Sequence, residues 1–134
     1  MSSITIQGTD HRYDESHVIT FTEGLIGFPQ IRQAVVIEMV DVKPFCWLAP
    51  INGEEPRFVV VEPQAIFEGY QPHLYQRTDP DADRTYAIVT VDADWKKTTV
   101  NLRAPIIVDP ITRIASQQIL SDSPYQLAEM LPRV

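Results

Sequence analysis

The chain has 134 residues, 44% hydrophobic and 22% charged, with a formal charge of −7. That is the size of one domain, 1–134, and too apolar for a disordered chain or a fibre. Lys96–Lys97 is the only adjacent basic pair, so there is no basic stripe to track a nucleic-acid backbone, and a basic partner suits this chain better than an acidic one.

From the N-terminus, short runs rich in β-branched and aromatic residues read as strands: "SITIQ", "HVITF", "AVVIEM", "FCWLA", "RFVVVE", "TYAIVTV", "KTTVNL" and "PIIV", with "RIASQQIL" fitting neither period cleanly. Eleven prolines lie between these runs without forming a linker, which makes the connections sharp turns. The expected fold is all-β, mainly antiparallel, a small barrel-like domain. Asn52-Gly53 predicts a type I′ hairpin turn with Glu54 and Glu55 at its tip. "ADWKK" predicts a second hairpin turn. Only "SPYQLAEML" carries helix signals, with Ser123 as N-cap, Pro124 at N1 and Leu127 and Leu131 four apart. A short C-terminal helix is therefore the candidate element there.

Signals for chemistry are sparse. Asp79, Asp81 and Asp83 start like a calcium loop, but Arg84 and Thr90 stand where glycine and glutamate are needed. His11, His17 and His73 have no second ligand at metal-binding spacing. Cys46, the lone cysteine, is flanked by Phe45 and Trp47, a setting for an inert buried thiol. No cofactor motif is present. The first residues lack the basic and apolar regions of a secretory leader, and no run nears the ~20 apolar residues of a membrane span, so a cytoplasmic location is expected.

The informative residues are apolar and oddly placed. In "TEGLIGFPQ" two glycines bracket Leu25 and Ile26, turning the backbone while presenting large side chains to core or partner. Phe67, Tyr70 and Tyr75 sit in a proline-flanked irregular stretch. In "KTTVNL" the two-residue period puts Thr98, Val100 and Leu102 on one face and Asn101 on the other. Pro105 then removes a ladder donor, so the strand must end, bulge or change sheets near Ala104, and the Asn101 amide is placed to bond the backbone groups this leaves unpaired.

Taken in order, "FTEGLIGFP", "PFCWL", "FVVVEP" with Tyr70 after it, "IVTVDAD", "TVNLRAPIIVD", Gln118-Ile119 and Tyr125 make a pattern that resembles the FliW flagellar assembly factors. The tail "YQLAEMLPRV" departs from that pattern. The resemblance implies a β-barrel-like protein with no catalytic activity and no cofactor. It also implies two partners: the RNA-binding translational regulator CsrA, whose repression of flagellin mRNA such proteins relieve, and flagellin itself, the two exchanging as a partner switch. The candidate regulator contacts are Asn52, Glu54, Glu55 and Glu62; the candidate flagellin contacts are Phe67, Tyr70, Leu127 and Leu131. Gly24, Gly27, Phe28, Asn101, Leu102 and Pro105 are motif positions expected to hold the fold. A small-molecule-binding barrel or minor hydrolase is the alternative, and it predicts a polar-dotted pocket with a perturbed ionisable group near Cys46 or His73.

Overall fold

Side chains that alternate in hydropathy along the sequence alternate in burial in the structure, a computed structural model that describes residues 2–51, 56–75 and 83–132. Its strands are β1 Ser2–Ile6, β2 Thr9–Tyr13, β3 Ile19–Phe21, β4 Gln33–Glu38, β5 Cys46–Pro50, β6 Phe58–Val61, β7 Arg84–Thr90, β8 Thr99–Val100, β9 Ile106–Val108, β10 Ile114–Gln117 and β11 Glu129–Met130. β3 to β7 pair consecutively and antiparallel, β7 pairs β9, and β9 pairs β10. β10 then runs parallel to β3 and closes a seven-stranded barrel. Closure leaves none of the seven with a free edge where another chain could add. The interior is filled by Ile19, Phe21, Leu48, Val60, Ile106 and Val108, with Leu25 and Ile31 folding in from the β3–β4 loop.

The outer faces are covered too. β1 and β2 form a hairpin whose two-residue turn, Gln7 and Gly8, has positive φ at both positions (51° and 81°), the type I′ geometry that matches strand twist. It lays Ile4, Ile6 and Tyr13 over Val35, Ile37 and Ala49 on the outward side of β4 and β5. On β6, β7 and β8, Val61, Ala87, Val89 and Val100 are covered by Tyr70, Phe67, Tyr125 and Leu131.

The proline-broken run sits where the sheet forks. Val89 of β7 faces Val100 of β8, while Tyr86 faces Ile106 of β9. Three steps along β7 thus correspond to six along its neighbour, so residues 101–105 are a bulge carrying three extra residues. As the two-residue period requires, Thr98, Val100 and Leu102 are buried and Asn101 turns away.

One element differs from the sequence expectation. The region 123–131 forms no helix: it crosses the bulge in irregular conformation and ends as β11, antiparallel to β8. The guanidinium of Arg103 accounts for this. It donates through Nη1 to the carbonyls of Ser123 and Tyr125 and through Nη2 to that of Ser121. The Gln126 carbonyl accepts from the amides of Leu102 and Arg103. The carbonyls of Ser123, Tyr125 and Gln126 are ones a helix would use internally, and tertiary partners hold them. The predicted hairpin of β5 and β6 forms, its ladder ending at Leu48–Phe58, but the Asn52-Gly53 turn lies outside the described residues. In the second hairpin Asp94 caps a 3₁₀ turn, Trp95–Lys97, by accepting from the Lys96 amide.

Candidate functional site

Inward-facing positions give the barrel two unlike ends. Along β6 the inward side chains run from Phe58 to Glu62, and along β7, in the opposite direction, from Arg84 and Tyr86 to Ile88. One mouth is therefore apolar and the other charged.

The apolar mouth is a groove of about 350 Å³. Its floor is Phe28 and Phe58, edge to face at 5.3 Å, with Ile88 beside them. Its rim is Ile26, Ile119 and Leu127, which are 50%, 57% and 63% exposed. Three aliphatic side chains are thus left to water around one concavity.

Each rim residue is fixed by backbone chemistry. Gly24 (φ +75°) packs so close to Pro29 that an added Cβ would lie 2.5 Å from the Pro29 carbonyl oxygen. The tight loop seats Leu25 in the core and turns Ile26 outward. Gln117 then ties this loop to the bulge, its Oε1 accepting from the Ile26 amide at 3.0 Å and its Nε2 donating to the Ala104 carbonyl at 3.1 Å. Asn101 Oδ1 accepts from the amides of Arg103 (3.1 Å) and Ala104 (3.0 Å), satisfying donors that the bulge removes from the ladder. Pro105, which has no such donor, accepts from the Gln118 amide. Arg103 holds the segment that carries Leu127.

The polar mouth is a cavity of about 670 Å³ lined by residues that include Glu38, Cys46, Glu62, Arg84, Tyr86 and Arg113. Burial and the carboxylates of Glu38 and Glu62 push the Cys46 thiol up, which disfavours the thiolate a nucleophile needs. His17 shares this cavity, whereas His73 lies in the 3₁₀ turn Pro72–Leu74. Among the described residues no group of three His, Cys, Asp or Glu is arranged to hold a metal ion, and no helix is long and apolar enough to cross a membrane.

The expected contact residues scatter. Leu127 is on the groove rim, Leu131 is half-buried against the outer cluster with Phe67, and Glu62 is exposed at the polar mouth, 3.7 Å from Arg84. Tyr70 corrects an expectation of exposure: it is 4% exposed, its hydroxyl donates to the Leu102 carbonyl at 2.7 Å, and its ring meets Tyr125. It braces the bulge and offers no free face. Asn52, Glu54 and Glu55 lie outside the described residues. Of the motif positions, Gly24, Phe28 and Asn101 build the groove, Leu102 is buried beneath Tyr70, and Gly27 takes φ +85° with open space around it. Gln117, which joins the two motifs, carried no separate signal in the sequence.

A family model described as "FliW protein" matches residues 4–131. The chain belongs to the FliW family. Two FliW relatives named "Flagellar assembly factor FliW" are those of Clostridium botulinum, 31% identical over 89% of each chain, and Bacillus velezensis, 33% identical over 90% of this chain and 89% of that one. A solved structure described as "Crystal structure of the flagellar assembly factor FliW" superposes with a TM-score of 0.83 at 27% identity, covering 98% of this chain and 99% of the other. The two folds thus correspond over nearly the whole length of both chains.

Proposed function

We propose that this protein is a cytoplasmic flagellar assembly factor that binds flagellin in the apolar groove and binds a CsrA-type regulator elsewhere, relieving repression of flagellin mRNA until flagellin occupies it. The observation that carries the reading is the groove itself: the Gly24–Phe28 loop, the Asn101–Pro105 bulge and the Gln117–Ile119 segment, three separate stretches of sequence, are wired together around one aliphatic rim. A helical, apolar terminal segment of unassembled flagellin matches such a rim by presenting side chains three and four residues apart. The net charge of −7 favours encounter with a basic RNA-binding partner. A switch then requires only that each complex disfavours the other, by overlap or by a coupling free energy.

The test is a calorimetric titration with the regulator and with flagellin from the same source, alone and in competition, using Ile119→Asp and Leu127→Asp. Both residues are largely exposed, so the variants should fold. Flagellin affinity is expected to fall by about tenfold or more per substitution, equivalent to about 1.4 kcal/mol. Unchanged flagellin affinity would move the site off the groove, and simultaneous binding of both partners without mutual weakening would remove the switch.

A further inference from the structure

The charged mouth of the barrel is unlike the groove in every respect that governs recognition. Arg113 stands at its edge with φ +60°, immediately before β10. Its Nη2 donates to the His17 carbonyl at 2.8 Å, but its Nε is buried and, among the described residues, has no hydrogen-bond partner. Native folds seldom leave such a donor without an acceptor. Across the cavity Arg84 stands 3.7 Å from Glu62, and both side chains are more than half exposed. That loose pair can open to a better acceptor at little cost. Lys43 and His17 add donors to the same lining, while Val36, Phe45 and Pro110 give it an apolar wall. A local excess of donors in a chain of net charge −7 runs against the charge of the whole.

We infer that this mouth is a binding site for a small organic monocarboxylate, its anionic head taken by Arg113 and Arg84 and its apolar body lying against Val36 and Phe45. The volume, about 670 Å³, falls in the range of small-ligand sites, and barrel mouths are a usual place for them. A single negative charge fits because Glu38 and Glu62 line the same cavity and would repel a second one. A guanidinium offers a carboxylate two parallel donors, which gives the head group a fixed orientation. The site is independent of the groove, being formed by the opposite ends of the same strands.

Cys46 supplies the readout. It is the chain's one cysteine and lines this cavity, so its alkylation by iodoacetamide, followed by mass spectrometry of the intact chain at fixed pH, reports occupancy without background. Butyrate is the probe, butyramide the neutral control of the same shape, and chloride the control for ionic strength. Butyrate is expected to slow alkylation several-fold and saturably, with butyramide and chloride having little effect. Arg84→Gln should weaken the protection, whereas Glu62→Gln, which removes a competing carboxylate, should strengthen it. Opposite signs from two exposed substitutions are not the result of general loosening. Equal protection by butyramide would mean an apolar pocket with no carboxylate recognition. Equal protection by chloride, or none that saturates with butyrate, would overturn the site.

Discussion

At the scale of single residues, the polar side chains that matter here do backbone work. The Asn101 side chain replaces the ladder partners that the bulge removes, and this role was legible in the sequence because Pro105 announces a break and Asn101 is the nearest side chain able to repair it. Asn101→Ala should cost about 1–3 kcal/mol, the usual loss when a buried donor is orphaned, while Asn101→Asp keeps the acceptor and should cost less. Urea denaturation of both variants checks the ordering. The two loop glycines make a sharper contrast. Gly24→Ala must strain a φ of +75° and push a Cβ to 2.5 Å from the Pro29 oxygen, whereas Gly27→Ala meets open space and strains φ alone. A left-handed conformation costs a non-glycine residue about 1–2 kcal/mol, so Gly27→Ala should lose about that much and Gly24→Ala clearly more. Equal losses would mean that the loop relaxes away from Pro29. Tyr70 was not legible in the same way, since an aromatic in a proline-flanked loop can face water or core, and its hydroxyl's partner lies 32 residues away.

At the scale of elements, the misses share a cause: their structure is imposed from elsewhere in the chain. β2, "TDHRY", is polar and follows no two-residue period, yet it pairs fully with β1. The Gln7-Gly8 dipeptide was its available signal. The segment 123–131 has good local helix signals, but Ser123 uses its hydroxyl to donate to the Leu120 carbonyl and accept from the Tyr125 amide, and Arg103 takes the nearby carbonyls. Propensity in two turns is too small to compete with a charged fork making three bonds. Arg103→Gln should therefore release β11 and the Leu127 rim together. The expected signature is faster hydrogen exchange at the amide of Leu102, which bonds the Gln126 carbonyl, with β3–β5 still protected. Retained protection at that amide would show that Tyr125, packed on Tyr70 and Tyr75, anchors the segment unaided.

At the scale of the whole molecule, the closed barrel and its covered faces concentrate perturbed ionisable groups of one kind. Cys46, Tyr70 and Tyr86 are all held above their ordinary values of 9.0, 10.0 and 10.0, in each case chiefly by burial. Each keeps its proton in the folded chain at a pH where the unfolded chain has lost it, so in that window the unfolded state binds fewer protons and stability falls as pH rises. The loss should begin near pH 9 with Cys46 and steepen above pH 10 with the tyrosines, approaching about 1.4 kcal/mol per pH unit for each group fully within its window. On the acid side the sign reverses. Asp14 and Asp109 are held below the usual carboxylate value of 3.8 chiefly by backbone amides, those of Ser16 and of Ile111 and Thr112. Their contribution is present above that value and is lost as pH falls through their folded values. Urea midpoints taken at the acid and alkaline ends would show the two limbs. Tyr70→Phe separates the two effects of one hydroxyl: it removes the bond to the Leu102 carbonyl and so lowers stability at neutral pH by about 1 kcal/mol, yet it flattens the alkaline limb. A parallel drop at every pH would assign the alkaline loss to Tyr86 and Cys46 and leave Tyr70 as a hydrogen bond alone.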